Sequence, residues 1–100
     1  MHEIEPQEAA RLMREENWTM IDVREPHELE DGHVEGARHI ELAQLTAEAE
    51  TIDRDRPVIF MCHMGSRSGM ATDAFRASGY EAYNLRGGIT AWIDAGLPVA

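Results

Sequence analysis

One cysteine stands in the 100 residues, Cys62, where the apolar run Val58-Ile59-Phe60-Met61 gives way to His63-Met64-Gly65-Ser66 and then Arg67-Ser68-Gly69. A thiol at the end of a strand, with a helix starting a few residues later, meets free backbone N–H groups and the positive end of the helix dipole. An ordinary cysteine titrates near ~8.5, and such surroundings with an arginine nearby lower that to roughly 3.5–7.5. Cys62 is therefore the candidate nucleophile, and His63, Met64, Gly65, Ser66, Arg67 and Ser68 form the candidate substrate-binding loop. Within the loop Gly65 lets the backbone curl tightly and Arg67 adds a fixed cation. Met64 is a candidate lip of the pocket, while Ser66 and Ser68 read as N-cap residues of the following helix.

A second polar group, Asp22 and Arg24, closes the run Trp18-Thr19-Met20-Ile21-Asp22-Val23. At a strand end it reads as a structural ion pair or loop clamp supporting the site, ahead of a direct role in chemistry. Asp22 and Glu25 stay open as general acids, and Arg86 reads equally as a pocket border or an exposed side chain. His27, His33 and His39 match no zinc spacing and have no second cysteine beside them, so no metal is expected. Trp92 and Ile93 read as core.

The elements that must position these residues alternate. His2-Glu3-Ile4 is a short possible strand, and Pro6 opens a helix carrying Ala9, Leu12 and Met13 at helical spacing. The Trp18–Val23 strand ends at Arg24-Glu25-Pro26, and a polar stretch runs through Gly32. Ala37 to Ile40 predicts a short strand, and Leu42, Leu45, Ala49 and Ile52 fall on one face of a helix. Asp53-Arg54-Asp55-Arg56 is a solvated linker. Pro57 starts the Val58–Met61 strand, Ala71, Ala74 and Phe75 mark the helix beyond the cysteine, and Gly79 suits its stop. Glu81–Leu85 is a further strand, Gly87-Gly88 a turn, and Ile89, Trp92 and Ile93 one face of a last helix. This alternation predicts an α/β fold with a mainly parallel sheet covered on both sides, whose site lies beyond the carboxyl ends of the strands.

Length and charge set outer limits. One hundred residues suit a single domain over 1–100. The net charge of −10 argues against nucleic acid or anionic lipid as a partner. All nine basic residues are arginine, which fits a high-salt or genome-wide composition as well as a generic solubilising surface. The absence of a long apolar run, of a signal-like start and of a second cysteine makes a cytoplasmic protein the expectation, with its oligomeric state open.

Three stretches, in order, resemble signatures of the rhodanese family, particularly its single-domain sulfurtransferases. Ile21-Asp22-Val23-Arg24-Glu25 with Gly32-His33-Val34-Glu35-Gly36-Ala37 is similar to D-x-R followed by G-H-I-x-G-A. Cys62 to Ser68 is similar to the active-site loop, and Gly87-Gly88-Ile89-Thr90-Ala91-Trp92 with Gly96-Leu97-Pro98 to the carboxyl-terminal signature. The resemblance implies a rhodanese-like three-layer sandwich. It also implies that Cys62 takes a sulfane sulfur from a donor such as thiosulfate and passes it, as a persulfide, to cyanide or a thiol, including a thioredoxin-like protein. No cofactor is implied. N–H donors from His63 to Ser68 would cradle the outer sulfur.

Four residues, His63 to Ser66, separate Cys62 from Arg67, where cysteine-dependent phosphatases carry five. Phosphatase or arsenate reductase is therefore the alternative enzyme, and a non-catalytic binding or sulfur-carrier module the alternative from another class. One departure matters: many family members place arginine directly after the cysteine, where this chain has His63. A histidine with a reference pKa near ~6.5 offers only partial charge there, which makes thiosulfate a doubtful donor.

Overall fold

The sequence alternates short apolar runs with amphipathic ones, and the chain resolves them into a five-stranded sheet with helices on both faces. The structure is a computed structural model and describes residues 2–100. In chain order the strands are β1 (Glu3–Ile4), β2 (Thr19–Asp22), β3 (Arg38–His39), β4 (Val58–Met61) and β5 (Ala82–Leu85). The helices are α1 (Pro6–Glu15), α2 (Leu45–Glu48), α3 (Ser66–Ala77) and α4 (Gly88–Asp94). The sheet runs β1-β5-β4-β2-β3, and every pairing is parallel. This is the three-layer α/β sandwich expected.

β4 is central and wholly apolar because both of its faces are covered. Val58, Phe60 and Cys62 point to one side, where Ile21, Val23, Ala71, Phe75, Leu45 and Ile52 close over them. Ile59 and Met61 point to the other, against Ala9, Met20, Leu85, Ile89 and Trp92. Burying each such side chain contributes about 1.5–3 kcal/mol, and a one-residue slip would exchange the two sets. The packing of four apolar side chains thus decides which way the thiol of Cys62 faces. β2 leads outward to β3 on one side, and β4 leads to β5 on the other. The chain ends of β2 and β4 therefore diverge and leave a crevice at their carboxyl ends.

Four local expectations need correction. The helix predicted over Leu42 to Ile52 is broken into a 3-10 turn (Leu42–Gln44), the four-residue α2 and a second 3-10 turn (Ala49–Thr51). Thr51 Oγ1 donates to the Glu48 carbonyl at 2.7 Å and Arg38 reaches the Thr51 carbonyl at 3.2 Å, so groups that would continue a helix are engaged otherwise. In α3 the buried stripe is Ser68, Ala71, Thr72 and Phe75, with Ala74 exposed. Ile93 is 49% exposed: only Ile89 and Trp92 of the seven-residue α4 turn inward. The short strand predicted from Ala37 to Ile40 is confined to Arg38–His39. Among the described residues no helix is long and apolar enough to cross a membrane.

Candidate active site

Cys62 leaves β4 directly into a loop that turns into α3, and its side chain is 1% exposed. Gly65 takes φ = +112°, a conformation natural only to glycine, and folds the loop back so that its own N–H reaches the sulfur. Three donors converge on Cys62 Sγ: the Gly65 N–H at 3.1 Å, the Ser68 N–H at 3.4 Å and the Ser68 hydroxyl at 3.2 Å. Burial pushes the thiol pKa up, but the Ser68 hydroxyl and the N–H groups of Ser68, Gly65 and Met64 outweigh it, so the pKa lies below the ordinary thiol value. Cys62 is thus an inward-facing sulfur prepared for negative charge.

The other side of the loop is held by the start of α4. Ile89 N–H donates to the Cys62 carbonyl at 2.9 Å, and the Thr90 N–H and hydroxyl donate to the His63 carbonyl at 3.2 and 3.1 Å. This contact needs glycine at position 88, where a Cβ would stand 2.5 Å from the Cys62 carbonyl oxygen. Asn84, buried on β5, completes the frame: its Nδ2 donates to the Gly65 carbonyl at 3.0 Å. Its Oδ1 lies 2.6 Å from the Ser68 hydroxyl, whose single hydrogen is therefore shared between Asn84 and Cys62.

The loop residues meet different fates. His63 and Met64 are exposed, with Met64 at 67% on the outer face of the loop. Ser66 and Ser68 do not cap α3: Gly65 is its N-cap residue, with no side-chain cap bond. Ser68 faces inward and is wholly buried because its hydroxyl has two acceptors there. Arg67 is not a free cation, since its guanidinium makes a bidentate pair with Glu28 at 2.7 and 3.0 Å. Arg67 holds the Glu28 carboxyl down to about pKa 2.

Asp22 and Arg24 form the clamp expected of them. Both are buried, and the Arg24 guanidinium donates to both Asp22 oxygens at 2.9–3.1 Å. The remaining guanidinium hydrogens reach the carbonyls of Glu28 at 3.2 Å and Gly32 at 2.9 Å. The polar stretch Pro26–Asp31, a 3-10 helix, is thereby tied to the end of β2 with Glu28 facing Arg67. His39 Nε2 lies 2.7 Å from the Arg24 carbonyl. Arg86 is exposed opposite Glu5, at 3.6 Å. A cleft of ≈ 260 Å³ opens beside the loop between Arg24, Glu28, Asp31, His63, Thr90 and Ile93.

Glu28, Asn84 and Thr90 are the site residues a reading of the sequence passes over. The signal for Glu28 was its spacing from Glu25 across Pro26, which forms a capping box with Glu25 N–H to Glu28 Oε1 at 2.8 Å. For Asn84 it was a lone amide within the apolar strand Ala82–Leu85. Thr90 carried none.

A depressed-pKa thiol at the amino end of a helix, ringed by N–H donors at the carboxyl edge of a parallel sheet, defines a cysteine-centred α/β domain able to hold a covalently attached anion. The comparisons with known proteins make that class specific. A family model described as a rhodanese-like domain matches residues 5–95, and the chain belongs to that family. It is 47% identical over 74 residues to the uncharacterized protein YqhL of Bacillus subtilis, a match that covers 73% of this chain and 59% of that protein's length. It is 34% identical over 88 residues to the thiosulfate sulfurtransferase GlpE of Stutzerimonas stutzeri, covering 87% of this chain and 81% of that protein. The crystal structure of a rhodanese-related protein from Thermoplasma volcanium superposes with a TM-score of 0.92 at 28% identity, over 100% of this chain and 98% of that one.

Proposed function

We propose that this protein is a sulfurtransferase that moves a sulfane sulfur from a donor such as thiosulfate to a thiophilic acceptor through a persulfide on Cys62. The acceptor class is cyanide or a thiol, a thioredoxin-like protein included. The observation that carries this reading is the convergence of the Gly65 N–H, the Ser68 N–H and the Ser68 hydroxyl on Cys62 Sγ. Donors that stabilise a thiolate also stabilise the charge of the sulfur added to it.

The Cys62 thiolate attacks the outer sulfur of the donor; the new S–S bond forms as the donor's own S–S bond breaks, and the leaving group departs with that electron pair. With thiosulfate the leaving group is sulfite. In the second half the acceptor attacks the outer sulfur and restores the thiolate, so that one difficult transfer becomes two easier ones. Family membership and sulfurtransferase-named relatives at 32–34% identity support the reaction class. Against a phosphatase or arsenate reductase stand the four-residue spacing and the pairing of Arg67 with Glu28, which sets a carboxylate against the loop's one arginine.

The test is the intact mass of the protein after incubation with thiosulfate, and separately with small-molecule persulfides. A gain of one sulfur atom, removed by cyanide and missing in Cys62→Ser, is expected. If no donor loads sulfur onto Cys62, or if Cys62 instead drives turnover of an aryl phosphate, the reading is wrong.

A further inference from the structure

We infer that Glu28 determines which donor this site accepts: by holding Arg67 it withdraws the loop's fixed cation, and so favours sulfane donors of single negative charge over the thiosulfate dianion. This rests on the sulfurtransferase reading above. Both charge-bearing arginines near the mouth are matched by carboxylates, Arg67 by Glu28 at 2.7 and 3.0 Å and Arg24 by Asp22 at 2.9–3.1 Å. The cleft beside the loop is lined by Asp31 as well as by His63. What remains to greet an incoming anion is a ring of neutral N–H and O–H donors.

Glu28 is fixed in that role. The Glu25 N–H donates to its Oε1 at 2.8 Å and Arg24 Nη1 to its carbonyl at 3.2 Å, so the carboxylate is oriented before any donor arrives. Its charge persists throughout the neutral range, since Arg67 holds its pKa near 2. The same position makes a clean substitution possible. Glutamine satisfies a capping box as glutamate does, so Glu28→Gln keeps the turn while removing the charge.

The donors to compare are thiosulfate, with two negative charges, and methanethiosulfonate, with one. In each the Cys62 thiolate attacks the terminal sulfur, and sulfite or methanesulfinate leaves with the electrons of the broken S–S bond. Charge balances in both cases, and no other reactant is needed. Attraction to an Arg67 released by Glu28→Gln scales with donor charge, so the gain in kcat/KM for the dianion should equal the square of the gain for the monoanion. With a separation of roughly 6 Å in a water-like dielectric, this means about tenfold for thiosulfate and about threefold for methanethiosulfonate. Both gains should shrink as salt is raised.

Sulfur loading of wild type, Glu28→Gln and the double variant Glu28→Gln/Arg67→Gln is measured by intact mass and by rate, at low and high salt. The expected result is a gain in Glu28→Gln that for thiosulfate is the square of that for methanethiosulfonate, and that is lost in the double variant. Equal gains for the two donors, no gain, or a gain that survives without Arg67 overturns the assignment of Glu28 while leaving the sulfurtransferase reading intact. Failure of both donors to load sulfur on any variant overturns both.

Discussion

Replacing Ser68 by alanine separates the two forces acting on Cys62. Burial raises its pKa, while the Ser68 hydroxyl and the surrounding N–H groups lower it, with a net depression. The substitution deletes the hydroxyl at 3.2 Å and leaves the N–H groups of Gly65 at 3.1 Å and Ser68 at 3.4 Å in place. A hydrogen bond to a charged acceptor nets about 1.5–3 kcal/mol, and one pKa unit is about 1.36 kcal/mol, so full donation to the thiolate would be worth about 1–2 units. The hydroxyl is also 2.6 Å from Asn84 Oδ1 and has one hydrogen to give. The expected rise is therefore at the lower end, about one unit.

The assay is the rate of alkylation by iodoacetamide across pH 5 to 10. In wild type the rate climbs with pH through a midpoint below that of an ordinary thiol; in Ser68→Ala the midpoint moves up by about one unit, and below both midpoints the rate falls about tenfold. Stability carries the same signature. A thiol whose folded pKa is depressed stabilises the native state fully above the unfolded value of ~8.5, and that contribution is lost as pH falls through the folded pKa. The stability gap between wild type and Ser68→Ala should therefore be wider near pH 9 than near pH 6, on top of a constant cost of about 1–3 kcal/mol for leaving Asn84 Oδ1 unpaired. An unchanged alkylation midpoint would refute this account and give the hydroxyl wholly to Asn84.

Two further outcomes follow from the frame around the loop. Gly88→Ala places a methyl against the Cys62 and His63 backbone at a residue with φ = +62°, and should lower stability in urea by about 2–5 kcal/mol, with sulfur loading lost even where the protein is still folded. A variant of wild-type stability would show that α4 does not grip the loop as described. Asp22→Ala strands the buried Arg24 guanidinium and should cost about 3–5 kcal/mol, whereas replacing both partners by apolar residues recovers much of that loss in the same urea titration. Recovery by the single variant at high salt alone would contradict a buried pair.

The sequence is legible where one periodicity dominates. The all-apolar Val58–Met61 could only be a strand covered on both faces, and that alone placed Cys62 at the sheet edge. The Asp22–Arg24 clamp was legible as a pair because both residues sit at one strand end, two apart. By contrast, the Leu42–Ile52 helix failed because apolar spacing reports which side faces the core, not whether Thr51 and Arg38 will hold the carbonyls differently. Arg67 reads as a free cation from its place in the loop, and its partner lies 39 residues earlier. Ion pairing across such a distance leaves no local pattern. Ser68 misled for a related reason: serine near a helix start usually caps, and only the position of Asn84 on a neighbouring strand shows that this one points to the sulfur.

The orientation of the donors follows from peptide geometry once the carbonyls are fixed. A trans peptide is planar, so its C=O and the next residue's N–H point in opposite directions. The carbonyl of Cys62 is drawn toward α4 by Ile89, and that of His63 by Thr90. The N–H groups of His63 and Met64 are thereby turned away from α4, and the Met64 N–H is among those that lower the Cys62 pKa. Asn84 and the Gly69 N–H hold the Gly65 carbonyl in the same fashion, which directs the Ser66 N–H away from them. The loop does not contact the sulfur through side-chain chemistry alone; residues from β5 and α4, distant in sequence, pin its carbonyls and so aim its amides. This explains why the carboxyl-terminal Gly87–Trp92 segment belongs with a cysteine some 25 residues earlier. It also explains why a change at Gly88, which offers no functional group, should disable the site as thoroughly as a change in the loop itself.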